Sequence, residues 1–223
     1  MLILQKVLEP EDLTRVRRDL ALAPWRPGAQ TAGATARAVK DNQQAVSDDA
    51  RVKALEAFVV AALERHPLWE IAARPRRLSR LLFSKYAVGA AYGPHTDDAV
   101  MGAGEGLVRS DLAFTLFLSD PGAYEGGVLS IESALGAQEI KLDAGDAILY
   151  PAGSVHHVAP VTSGERLAAI GWVQSLVADA AQREALFDLS VARGRFAAAG
   201  AAREDLLPLD KAIGALLRMW ARP

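Results

Sequence analysis

Three positions in this chain have the residue types and spacing for metal chemistry. His95 and Asp97 are two residues apart, and a histidine pair, His156-His157, lies far downstream. Arg166 follows ten residues after His156. Two imidazoles and one carboxylate make the ligand set of a non-haem Fe(II) facial triad, which leaves coordination positions open for a cosubstrate and oxygen. A guanidinium beyond the last histidine suits a dicarboxylate, because its planar fork grips a carboxylate through two parallel hydrogen bonds. Together the pattern points to Fe(II) and 2-oxoglutarate.

On an extended strand residues i and i+2 face the same side, so His95 and Asp97 are expected to enter one cavity. Adjacent strand residues face opposite sides, so at most one of His156 and His157 joins them. Spacing does not choose between the two. Arg166 is expected to return beside the His156 strand in a hairpin, deeper in the same barrel, where a buried guanidinium needs an anion. Tyr86, nine residues before His95, offers its hydroxyl to the same carboxylate or else packs in the core. Tyr92 belongs near the mouth, orienting substrate or filling space. Asp98 and Asp111 face substrate or solvent, with nothing in the pattern to decide. Gly127, Gly145 and Asp146 read as turn residues. His66, before Pro67 at a helix end, reads as structural.

The elements that must position these groups are also legible. Residues 2–8 read as a strand. Glu9-Pro10-Glu11-Asp12 opens a helix whose acidic first turn suits the helix dipole, with Leu13, Val16 and Leu20 as its apolar stripe. Pro24 to Gly28 end it, and residues 28–46 read as a loop or an edge strand. Ser47-Asp48-Asp49 caps an amphipathic helix over 49–65. From about residue 78 short strand candidates follow, at 80–86, 111–118, 127–131, 147–150 and 166–173, separated by turns such as Asp120-Pro-Gly and Asp143-Ala-Gly-Asp. Many short strands between Gly/Pro turns predict a double-sheet jelly roll of the cupin type, so the fold class is α+β with a mainly β core. Residues 176–192 and 205–221 read as helices, with Gly194–Gly200 between them. The expected organisation is a core over 1–175 and a small C-terminal helical unit over 176–223.

Composition narrows the function further. The chain has 223 residues, 51% of them hydrophobic, enough for one well-buried core. A net charge of −2 gives no field for nucleic acid. The cluster Arg74-Pro-Arg76-Arg77 reads as a solvated loop before a strand. With no cysteine, thiolate metal sites, Fe–S clusters and a cysteine nucleophile are excluded. The N-terminus does not read as a signal peptide, and no apolar run reaches the ~20 residues of a membrane span. A soluble, cytoplasmic protein is expected.

Several stretches carry a family resemblance. They include Thr31-Ala-Gly33 with Lys40-Asp-Asn42-Gln43, then Tyr86, Gly89, Tyr92 and His95-Thr-Asp97. Downstream come Arg109-Ser-Asp111, Thr115 to Ser119, Tyr124-Glu-Gly-Gly127 and Leu149-Tyr-Pro151. His156, Val158, Pro160-Val-Thr162, Gly164 and Arg166, then Trp172-Val-Gln-Ser175, complete it. In these the chain resembles the prolyl-4-hydroxylase-like branch of the Fe(II)/2-oxoglutarate-dependent dioxygenases, and within it the PKHD-type hydroxylases, a group linked to iron uptake. The resemblance implies a double-stranded β-helix and hydroxylation of a substrate, with decarboxylation of 2-oxoglutarate to succinate. It implies His95, Asp97 and His156 as iron ligands, selecting His156 over His157, and Arg166 as the anchor of the 2-oxoglutarate C5 carboxylate. It also implies L-ascorbate as the reductant that rescues oxidised iron, and the C-terminal helical region. Asp98 departs from the pattern, standing where asparagine is frequent. The substrate stays open among a peptidyl proline, a free amino acid, a siderophore-derived molecule and a metabolite. A cupin-like metal-binding or sensing module without turnover is the alternative, and Arg166 argues against it. The apolar C-terminal helices point to a homodimer.

Overall fold

Long apolar runs from residue 81 onward form strands whose two faces are both covered, and this organises the molecule into two facing antiparallel sheets. The fold is a computed structural model that describes residues 1–31, 33–102 and 104–223. Ala32, within the Thr31–Gly33 motif, lies outside the described residues. The larger sheet runs Leu2–Leu4, Ala147–Pro151, Leu112–Phe117, Arg166–Ser175, Leu82–Tyr86, Gln43–Ala45, Trp25–Pro27 in spatial order, with Pro75–Leu78 also paired to Arg166–Ser175. The smaller runs Gly136–Ile140, Leu129–Ser133, His156–Val158, Ala91–His95, Lys40–Asp41.

Alternation along each strand of the large sheet sorts its side chains into two cores. Phe114, Leu116, Leu149 and Ala169 point outward, to the faces of two helices that supply Leu13, Val16 and Leu20 from Pro10–Ala21 and Val52, Leu55, Val59 and Leu63 from Ala50–Arg65. Ala113, Phe117, Ile148 and Tyr150 point inward, to Leu129, Ile131 and Val158 of the small sheet. The strand Leu112–Phe117 is buried throughout, which is why it reads as an apolar run broken by Thr115 alone rather than an alternating one. The second helix begins at Asp49, whose carboxylate accepts from the Arg51 and Val52 amides at 2.9 and 3.2 Å.

Three expectations are corrected and a fourth is refined. The strand Arg166–Ser175 does not pair with the His156 strand. It lies in the large sheet between Leu112–Phe117 and Leu82–Tyr86, while His156–Val158 pairs with Ala91–His95 and Leu129–Ser133 in the small one. A jelly roll passes successive strands between sheets, and the intervening Val161–Gly164 pairs with Tyr124–Gly126 on the way. Arg74 is not solvated: it is buried at a left-handed φ of 43°, and its Nη2 donates to Ser190 Oγ at 3.0 Å, tying the C-terminal helix to the sheet. Residues 28–46, expected as a loop or an edge strand, contain the edge strand Lys40–Asp41 and more besides. They form the 3-10 turn Gly28–Thr31, the short helix Ala34–Arg37 and the strands Lys40–Asp41 and Gln43–Ala45. The C-terminal helices span Ala180–Ala198 and Arg203–Trp220, so Gly194 lies inside the first of them.

Candidate active site

His95 and His156 are Cα partners on neighbouring strands of the small sheet, so their rings emerge side by side, with centroids 4.3 Å apart. The hydrogen-bonded strand ends at His95, and Asp97 lies two residues beyond it. Its carboxylate still turns back to them: Asp97 Oδ1 is 3.9 Å from His156 Nε2. One ligand atom from each of His95, Asp97 and His156 falls within 4.8 Å of the others. Among the described residues they are the one cluster of three such side chains placed to share a cation. His157, opposite Ser130 in the sheet, is not part of it.

The same local geometry fixes both imidazoles. His95 Nδ1 lies 2.8 Å from the Gly93 carbonyl and His156 Nδ1 3.0 Å from the Ser154 carbonyl, each two residues back. A carbonyl only accepts, so each Nδ1 carries the proton and each Nε2 presents its lone pair. Burial, with His156 nearby, pushes the His95 pKa down to about 4, so the ring is neutral at pH 7. Burial raises the Asp97 carboxyl, while the His156 imidazole and the Trp172 indole pull the other way. Tyr92 stacks on His95, with centroids 3.6 Å apart and 18° between planes, and holds the ring's outer face.

Across the cavity the large sheet contributes Arg166 and its cross-strand partner Tyr86. Arg166 is 1% exposed, and its guanidinium lies 5.2 Å from the Tyr86 ring centroid and 5.3 Å from that of Phe117. Its Nε and Nη2 are buried with no acceptor. Burial raises the Tyr86 phenol pKa, so it stays a proton donor. Gly127 is more than a turn residue: at φ 59° a Cβ there would sit 3.2 Å from Arg166 Cδ and 3.1 Å from Tyr124 Cε2. His95, Asp97, His156, Tyr92, Tyr86 and Arg166 line a cavity of ≈ 350 Å³ between the sheets, walled elsewhere by Leu82, Leu129, Val158 and Ile170.

The sequence profile of the 2OG-Fe(II) oxygenase superfamily matches residues 81–174. The PKHD-type hydroxylase of Maricaulis maris is 49% identical over 220 residues, covering 98% of this chain and 97% of its own. That of Hyphomonas neptunium is 42% identical over 227 residues, covering 99% of each. The chain belongs to the PKHD-type hydroxylases. Solved structures show the fold: a 2OG-Fe(II) family oxidoreductase from Burkholderia pseudomallei aligns at TM-score 0.56 and 14% identity, over 78% of this chain and 83% of its own. A prolyl-4-hydroxylase from Pseudomonas putida aligns at TM-score 0.51 and 19% identity, over 78% of this chain and 91% of its own. The PKHD-type core is thus the double-stranded β-helix of oxygenases.

Membership in this family implies Fe(II) and 2-oxoglutarate, and the site fits both. The buried Asp97 Oδ2 has no hydrogen-bond partner, as suits an atom beside a cation, and the orphaned Arg166 nitrogens suit a carboxylate. Of the positions left open, Asp111 is structural. It receives both Arg109 Nε and Nη2, at 2.6 and 2.8 Å, and the Ser175 amide at 2.8 Å. Asp98 lines the cavity mouth with its carboxylate against Gly33. His66 is structural as expected, bonded through Nε2 to the Gln5 carbonyl at 3.0 Å. Sequence reasoning assigned no role to Lys40, Asn42, Tyr150 or Trp172, all of which line the cavity. For Lys40 and Asn42 the available signal was their i, i+2 spacing, which puts both on one strand face. Among the described residues no helix is long and apolar enough to cross a membrane.

Proposed function

We propose that the protein hydroxylates a small-molecule or peptidyl substrate in the cavity between its sheets, using iron held by His95, Asp97 and His156 and 2-oxoglutarate anchored by Arg166. The reading rests on one observation: a His/His/carboxylate cluster faces a buried guanidinium with two unused N–H groups. When bound, iron and 2-oxoglutarate together supply oxidative hydroxylation of a C–H bond, with decarboxylation of the oxo acid to succinate. The protein's part is positional. The two Nδ1–H bonds to Gly93 and Ser154 keep both Nε2 atoms on the cavity side. Arg166 receives the far carboxylate of 2-oxoglutarate, and the protonated Tyr86 phenol beside it is a second donor for that group. Leu82, Leu129, Val158 and Ile170 exclude water from the reacting end.

L-Ascorbate is the reductant this reading assigns for keeping the metal ferrous, and a role in iron uptake goes with it, both on the strength of the resemblance; the cysteine-free composition suits a reducing cytoplasm. Phe196, Leu207 and Met219, at least half exposed on the C-terminal helices, support a homodimer through that helical unit, testable as a dimeric mass by light scattering. The functional test is succinate formation from 2-oxoglutarate with Fe(II) and oxygen. Wild type should produce it and Asp97→Ala should not, because that substitution removes the site's anionic ligand. Equal succinate from both would reject the assignment.

A further inference from the structure

Among the described residues the cavity lining has three Lys or Arg side chains, and two are accounted for. Arg80 is engaged outside, with Glu56 and Asp48 oxygens each at 3.3 Å. Arg166 faces the cosubstrate end. Lys40 is the third. It stands on the edge strand Lys40–Asp41 directly opposite Tyr92, and cross-strand partners share a face, so its chain runs over the Tyr92 ring with Nζ 4.9 Å from the centroid. Tyr92 in turn lies 3.6 Å from the His95 ring centroid. The ammonium therefore sits no farther from the metal-binding imidazole than the sum of those two distances.

Among the described residues no carboxylate lies within 4.0 Å of the Lys40 ammonium; its one hydrogen bond is to Thr31 Oγ1, at 3.3 Å. Thr31 is itself held, since its one hydroxyl proton has both the Gly28 carbonyl and Gln44 Oε1 within reach as acceptors. The lysine is thus pinned by a polar wall while two of its three N–H donors remain for a ligand. Two residues on, Asn42 lines the same cavity at 6% exposure, beside the Tyr86 phenol, and neither of its buried amide atoms makes a hydrogen bond of good geometry. A buried primary amide with donors and acceptors to spare marks a wall built for a polar molecule. Burial pushes the Lys40 pKa down to about 8, leaving it mainly charged at pH 7.

Taking the oxygenase reading above as given, we propose that Lys40 binds a carboxylate of the primary substrate, so that the protein oxidises a small organic acid at a C–H bond a few bonds from that carboxylate. A single ammonium matches a single negative charge, and the Asp98 carboxylate, which also lines the cavity, disfavours a dianion such as phosphate. The Arg166 end is left to 2-oxoglutarate.

The test uses the full chain loaded with Mn(II), which is redox-stable and paramagnetic, and saturated with 2-oxoglutarate. Butanoate is the probe, butanamide its uncharged control, and the readout is Mn(II)-induced broadening of the probe's proton resonances. Binding of Mn(II) and 2-oxoglutarate is measured first by calorimetry, so a failure of the oxygenase reading shows at that stage. Wild type should broaden butanoate and not butanamide. Lys40→Met should weaken butanoate binding about tenfold or more, the scale of one charge-assisted hydrogen bond. Lys40→Arg should restore it, which a folding defect would not allow. Equal broadening of butanoate by Lys40→Met, or of both probes by wild type, overturns the proposal. So does a Lys40→Met variant that instead loses 2-oxoglutarate, since the ammonium would then serve the cosubstrate.

Discussion

Replacing Arg166 with methionine tests the cosubstrate anchor through two opposite effects. The guanidinium is 1% exposed, with Nε and Nη2 unpaired and the rings of Tyr86 and Phe117 near 5 Å. Removing one partner of a buried, hydrogen-bonded charge pair costs about 2–5 kcal/mol. The Kd for 2-oxoglutarate should therefore rise roughly 30- to 4,000-fold. The cosubstrate-free protein should respond the other way. An unpaired ion withdrawn from water costs several kcal/mol, and two cation–π contacts offset that by about 0.5–2 kcal/mol each. Methionine fills most of the volume without the charge, so cosubstrate-free Arg166→Met should melt at or above the wild-type temperature, by about 2–4 °C for each kcal/mol gained. Calorimetric titration of 2-oxoglutarate into the Mn(II) protein gives the first quantity and thermal unfolding without 2-oxoglutarate the second. A lower Tm together with an unchanged Kd would refute the reasoning, because Arg166 would then be a satisfied core residue.

Other substitutions separate positioning from scaffold. Gly127→Ala forces a side chain into φ 59° and against Arg166 Cδ, so it should lower stability by about 1–3 kcal/mol and weaken 2-oxoglutarate binding, read by the same two assays. Asp111→Ala leaves Arg109 and the Ser175 amide without their acceptor and should cost about 1–3 kcal/mol in denaturant unfolding, with metal affinity unchanged. Lys40→Met should stabilise the metal-free protein at pH 7. In the unfolded chain a lysine stays protonated to about 10.4, whereas in the fold Lys40 does so only to about 8. Between those values the unfolded state binds more protons, so wild-type stability rises with pH and the variant's advantage shrinks, as urea unfolding at pH 7, 9 and 10.5 would show.

Much of the ligand set was readable because its chemistry is local. His-X-Asp brings two ligands to one side, and the downstream histidine and arginine complete a recognisable set of residue types. The helices at Pro10–Ala21 and Ala50–Arg65 were legible from periodicity and from the Asp49 cap. What the chain order concealed was which sheet each strand joins. Arg166 follows His156 closely, and a hairpin is the simplest path for so short a separation, yet the jelly roll sends the chain to the opposite sheet. Arg166 therefore faces the His95, Asp97 and His156 cluster across the cavity instead of lying beside it. Lys40 and Asn42 were hidden for a related reason. They sit in a short polar segment with no apolar alternation to mark a strand, so their i, i+2 spacing gains meaning only once pairing with Ala91–His95 turns that segment into a cavity wall. Arg74 looked like a surface charge because nothing in its own neighbourhood shows that Ser190, far along the chain, is its partner.

The most direct test of the central claim is an anaerobic titration of the metal-free protein with Fe(II) and then 2-oxoglutarate, followed by visible absorption. The account predicts a weak metal-to-ligand charge-transfer band on adding 2-oxoglutarate, reduced in Arg166→Met at limiting 2-oxoglutarate and absent in Asp97→Ala. Iron binding without that band would contradict chelation of the oxo acid at His95, Asp97 and His156.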